Sequence, residues 1–147
     1  MKPFKFSLEK VLALRKFRED ETKIELGRAV GLLAEIEMNI RKNAEERVRA
    51  SSAQFKQGNS AIEMERYMYY ILRLDNSRET MLNDAALAEI KVEEARSIFL
   101  EASRDRKVLD KLMEKRLKEY NKAKLENEIK VLDDISSGVL ARKALTA

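Results

Sequence analysis

Residues 71–120 read ILRLDNSRETMLNDAALAEIKVEEARSIFLEASRDRKVLDKLMEKRLKEY. Taken in sevens, they show one seam: Ile71, Leu74, Met81, Ala85, Ala88, Val92, Ala95, Phe99, Ala102, Leu109, Met113 and Tyr120. Arg78, Arg106 and Arg116 interrupt its alternating steps of three and four, and the stretch holds neither Gly nor Pro. An apolar residue about every 3.5 positions keeps a narrow stripe on one face of an α-helix, and such a stripe is stable only against another helix. At about 1.5 Å per residue the seam is roughly 75 Å long, more than a compact globule uses. The expectation is a coiled-coil rod.

The segment before it supplies the partner. Leu8, Val11, Leu12, Leu14, Phe17, Ile24, Leu26, Ala29, Val30, Leu33, Ile36, Ile40, Ala44 and Val48 form a broad stripe that tightens to sevens between Leu26 and Ile40. Ser7 is a fair N-cap with Glu9 in the first turn, where the helix dipole favours a carboxylate. Gln57-Gly58-Asn59-Ser60 is the one convincing break. Gly58 and Asn59 tolerate positive φ, and Ser60 with Glu63 matches a capping box. The fold expected is all-α: two long helices in an antiparallel coiled-coil hairpin, the second helix longer. The first runs from about residue 8 to 55 and the turn occupies 57–60. The second runs from about 61 to 136, where Ser136-Ser137-Gly138 signals a stop, and a tail of 137–147 follows.

A short turn fixes the register. It exhausts the first helix near residue 109 of the second and leaves about 110–140 overhanging. It also places Gly27 and Gly31 opposite the Ala-rich run at 85–88. Small residues facing small residues allow close backbone approach, so the two glycines read as a packing device; a hinge or a membrane-type small-residue contact is the other reading.

Composition narrows the chemistry. Of the 147 residues, 38% are charged and 6% aromatic, with neither Cys nor His. Disulfides, thiolate chemistry and imidazole ligands are therefore excluded. No phosphate-binding loop surrounds Gly27 and Gly31, and the carboxylate pairs Glu45-Glu46, Glu93-Glu94 and Asp133-Asp134 read as solvated faces. Two helices side by side make no concave pocket. Neither an enzyme nor a cofactor or metal site is expected. No apolar run is long enough to span a bilayer. The basic start Met1-Lys2-Pro3-Phe4-Lys5 lacks a signal-peptide core, so a cytoplasmic location is expected.

Two regions carry candidate binding chemistry. Met64, Tyr67, Met68, Tyr69, Tyr70 and Ile71 cluster just past the turn. These positions go more than once around a helix, so at least one of Tyr67, Tyr69 and Tyr70 must point away from the seam. They read either as the first seam layers or as a protein-binding patch. The second region is basic. Residues 1–18 hold six basic residues against Glu9, and 104–124 hold nine against four acids. It reads either as a solvated surface or as a site for an anionic partner. Nucleic acid fits it poorly, because acids interrupt the run and no base-reading motif is present. Arg78, Arg106 and Arg116, at seam positions, could specify register at a cost in stability.

The opening Phe4-Lys5-Phe6-Ser7-Leu8-Glu9-Lys10-Val11-Leu12-Ala13-Leu14-Arg15 resembles the start of the flagellar type III export protein FliJ family. The length and the two-helix layout match it as well. The resemblance implies a non-enzymatic part of the flagellar export apparatus, shaped like the stalk of a rotary ATPase. Its implied partners are the export ATPase hexamer, the cytoplasmic domain of the export gate protein and substrate-specific export chaperones. It implies a position peripheral to the cytoplasmic face of the inner membrane. By the same resemblance Tyr67, Tyr70 and Leu74, with Ile40 from the first helix, would contact the gate protein. The terminal end would enter the ATPase ring, with Lys10, Arg15, Arg18, Arg106, Lys111 and Lys115 as contact residues. The alternative is a structural or nucleic-acid-associated coiled coil acting through its basic end.

Overall fold

A computed structural model describes residues 1–146. It contains helix α1, Glu9–Gln54, and helix α2, Ala61–Thr146, of 46 and 86 residues. The chain is a helical hairpin with the second helix longer, and no strand occurs among the described residues.

The turn is built as its residues demand. Gly58 has φ +93°, a conformation that costs a residue with a Cβ but not glycine. Asn59 Nδ2 donates to Ala53 O at 2.6 Å and to Gln54 O at 3.2 Å, closing the C-terminus of α1. Ser60 and Glu63 form the reciprocal capping box: Glu63 N donates to Ser60 Oγ at 3.2 Å, and Ser60 N donates to Glu63 Oε2 at 2.9 Å. Two of the amides left without helical partners at the start of α2 are thereby satisfied.

The stop signal at Ser136-Ser137-Gly138 does not end α2, which continues through Thr146. Glycine in a helix costs about 1 kcal/mol, less than the helix-forming run Val139–Leu145 returns by continuing the hydrogen-bond ladder. Thr146 Oγ1 donates to Arg142 O and Lys143 O. Of the expected tail, Ala147 lies outside the described residues.

The chain divides into two compact units. In the unit of residues 18–102, the α2 seam is as the heptad reading has it: Ala85, Ala88, Val92 and Ala102 are buried, and Ile71, Leu74, Met81, Ala95 and Phe99 half-buried. Arg78 is the exception and lies exposed. The α1 face of this unit is more polar than its apolar stripe. Thr22, Asn43 and Ala50 are buried on it, with Leu26, Ala29, Leu33, Ile36, Ile40 and Arg47 half-buried, while Ile24, Val30 and Val48 face solvent. A two-helix seam admits only about two positions in seven from each helix, so apolar residues in excess of that have nowhere to go. Thr22 tolerates burial because its hydroxyl donates to Glu19 O at 2.8 Å.

The glycines do not act as a packing device. A Cβ at Gly27 or Gly31 would meet nothing within 4 Å, and both residues are exposed. They lie off the seam, so the helices gain no closeness from them.

The second unit joins Met1–Phe17 to the chain from Ser103 on. Phe6, Leu12 and Leu109 form its core, with Phe4, Leu8, Leu112 and Met113 packed around them. The extended lead before α1 carries this packing further along α2. The Phe4 and Tyr120 rings lie 5.5 Å apart, tilted by 52°. Tyr120 donates its hydroxyl proton to Lys2 O at 2.6 Å. The uncovered part of α2 accordingly begins at residue 121 rather than near 110, and every described residue from there on is exposed.

Candidate functional site

Near the turn, α2 presents two opposite faces. Tyr67, Tyr70, Ile71 and Leu74 point along the seam and are half-buried. Tyr70 donates its hydroxyl proton to Glu46 Oε1 at 3.1 Å. Burial, and then this bond to a carboxylate, pushes its pKa above the ordinary tyrosine value. The Leu74 carbonyl accepts a bond from Asn43 Nδ2 at 3.1 Å. Arg47 Nε donates to Asp75 Oδ1 at 2.5 Å, and Arg47 Nη2 to Oδ2 at 3.4 Å. This pairing holds the Asp75 carboxyl below the usual carboxylate range and raises Arg47 above its own. Ile40 is half-buried on the α1 seam, one turn before Asn43. The four candidates for gate contact thus share the seam side of α2 and its α1 neighbour, each partly accessible at the edge. A shallow hollow lined by Asn59, Glu63, Arg66, Tyr67 and Tyr70 opens beside them.

The outward face is made by other residues. Ile62 is 64% exposed, Met68 53%, Tyr69 60% and Leu72 55%, and these positions fall on one side of α2 at about 100° per residue. Tyr69 is the tyrosine that must point away from the seam. The heptad held the signal for this face: with positions 67, 71 and 74 turned toward α1, 69 and 72 are turned away.

The basic candidates separate on inspection. Lys10, Arg15, Arg106, Lys111 and Lys115 belong to the unit containing the termini, whereas Arg18 belongs to the unit of residues 18–102. There Arg18 lines a hollow with Glu21, Thr22, Ile24, Glu25 and Arg28. Arg15 Nη1 donates to Asp105 O at 2.7 Å. Arg106, half-buried at its seam position, pairs with Asp110 one turn on. Arg15 therefore ties α1 to α2, Arg106 is paired along α2 itself, and Lys10, Lys111 and Lys115 are the exposed candidates of this unit. Arg116, like Arg78, turns to solvent. Of the three seam arginines only Arg106 stays partly buried, and α1 adds Thr22, Asn43 and Arg47 as polar seam residues. Beyond Tyr120, Leu125, Ile129, Leu132 and Val139 form a bare apolar row at steps of three, four and seven.

Among the described residues no group of His, Cys, Asp and Glu is arranged to hold a metal ion, and no helix is long and apolar enough to cross a membrane. The fold and surface define a helical hairpin whose recognisable features are faces and edges rather than an enclosed cavity. A family model described as flagellar FliJ protein matches residues 4–145, and the chain belongs to the FliJ family. Membership points to a flagellar, export-related role. Neither a curated protein nor a solved structure gave a significant match.

Proposed function

We propose that this protein is a non-enzymatic component of the bacterial flagellar export apparatus that couples the export ATPase ring to the membrane export gate and assists delivery of chaperone-bound substrates. The observation that carries the reading is the family match, which spans both the turn-proximal face and the basic terminal unit. In this reading the edge formed by Ile40, Tyr67, Tyr70 and Leu74 takes the cytoplasmic domain of the gate protein, and Tyr69 and Leu72 extend that contact outward. Exposed Tyr and Met beside one another suit a protein partner. Lys10, Lys111 and Lys115, with the bare row from Leu125 to Val139, engage the ATPase ring. A basic helix end with an uncovered apolar row supplies both charge attraction and area to bury. The protein works in the cytoplasm, peripheral to the inner membrane, and nucleic acid is not a partner.

The test is direct binding of the full-length protein to the purified export ATPase and to the purified gate-protein domain. Lys111→Glu/Lys115→Glu should weaken the first and spare the second, and Tyr67→Ala should do the reverse. Absence of both interactions in the unaltered protein defeats the proposal. A salt-dependent gel shift with DNA or RNA would move the assignment to the nucleic-acid-associated alternative.

A further inference from the structure

One layer of the hairpin carries polar side chains where its seam calls for apolar ones. Asn43 is 9% exposed, and its Oδ1 is buried without a hydrogen-bond partner while Nδ2 bonds the Leu74 carbonyl. The Arg47–Asp75 ion pair lies one turn further along, and Glu46 accepts from Tyr70. This layer is poorly designed for stability. A buried unsatisfied oxygen costs free energy that an apolar residue would not. The Arg47 and Asp75 side chains are 43% and 42% exposed, and ion pairs so open to water contribute little.

The same residues discriminate sharply between pairings. Both helices carry heptads, so sliding one by seven residues returns seam positions to seam positions. After such a slip Arg47 would face Met68 or Leu82 in place of Asp75, and Glu46 would face Glu63 or Ser77 in place of Tyr70. Parallel pairing of α1 with the α1 of a second copy would set Arg47 against Arg47 and Glu46 against Glu46. The turn limits slips within one chain but does nothing against a second copy.

We infer that Asn43, Arg47 and Asp75, with the Glu46–Tyr70 bond, form a pairing key that commits α1 to an antiparallel α2 in a single register and rejects both shifted registers and pairing of α1 with the α1 of another copy. The key works by making wrong pairings worse rather than by making the native one strong, as single polar positions do in coiled coils.

Two variants of the full-length protein test it, read by sedimentation and by amide NMR spectra, in which the unaltered chain should give one species and one resonance set. In the first, Asn43→Leu/Arg47→Leu/Asp75→Leu, the key is replaced by apolar residues. Helicity should persist and the melting temperature should not fall, while the protein becomes a mixture of oligomers with several resonance sets. In the second, the charges are exchanged. Arg47→Asp alone should populate extra species, and Arg47→Asp/Asp75→Arg should restore one. The inference is overturned if the triple variant stays a single monomeric species. It is equally overturned if that variant loses helicity, which would make the layer a source of stability, or if the charge exchange restores nothing.

Discussion

Tyr70 donates its hydroxyl proton to Glu46 Oε1 at 3.1 Å, so this ring is fastened to α1 while its neighbour Tyr69 stands 60% exposed on the opposite side of α2. Two adjacent tyrosines thus meet different surroundings, one the facing helix and the other solvent.

Binding should separate them. Tyr69→Ala removes an exposed ring and should leave the melting temperature unchanged, yet weaken gate-protein binding by roughly 10- to 100-fold, the range of an aromatic anchor. Tyr70→Ala should weaken binding and also lower the melting temperature. Calorimetric titration alongside thermal melts distinguishes the pair, and equal effects of both changes on stability would count against the assignment.

The Tyr70 bond also sets an alkaline response. Burial first, and then the bond to Glu46, raises its pKa above the ordinary value of 10.0. The folded state therefore holds this proton more tightly than the unfolded chain. Its stabilisation is complete below about pH 10 and is lost as pH rises through the raised folded value. Tyr70 should ionise above the ordinary tyrosine value in an absorbance titration, and Tyr70→Phe should remove that late step.

Asp75 works in the opposite direction. The hydrogen bond from Arg47 lowers its pKa below the ordinary 3.8. Its contribution is complete above about pH 3.8 and is lost as pH falls through the lower folded value. Because the pair is open to water, the effect is small: Asp75→Asn should flatten this part of the acid limb only slightly in denaturant melts between about pH 2 and 5. An unchanged acid limb would show that the pair carries no linkage.

The terminal unit depends on few contacts. Leu12 is 4% exposed and Leu109 5%, and truncating either to alanine should cost about 2–3 kcal/mol, toward the lower end for a buried leucine in so thin a seam. Hydrogen exchange should accelerate in residues 8–17 and 103–116. Protection there that survives Leu109→Ala would place the stability elsewhere.

The glycines give the contrary case. Gly27→Ala and Gly31→Ala meet open space and should each stabilise α1 by up to about 1 kcal/mol. Gly58→Ala has equal room but φ +93°, and it should destabilise by about 1–2 kcal/mol. Urea melts of the three variants suffice, and a loss of stability at Gly27→Ala would restore the packing role.

Much of the fold was legible because its causes are local. Heptad spacing names the α2 seam from Ile71 to Tyr120, and the capping box at Ser60 and Glu63 marks where α2 starts. Gly58 marks the turn because the positive φ there excludes other residues cheaply. The candidate site was legible in part: the tyrosine cluster announced itself, and period 3.6 required one ring to face outward.

What the sequence determined by itself was therefore the helices, the turn and the face of α2 that meets α1, since each follows from periodicity and backbone preference over a few residues. Tertiary structure decided which polar residues enter the seam. Asn43 and Arg47 lie inside because α2 offers a carbonyl at Leu74 and a carboxylate at Asp75, partners distant in sequence. It also decided that Phe4 and Lys2 cover Tyr120, that Gly27 and Gly31 face solvent, and that α2 runs on to Thr146. Each of these outcomes depends on what stands opposite a residue, or on the sum of a long helical ladder, and a short window of sequence contains neither.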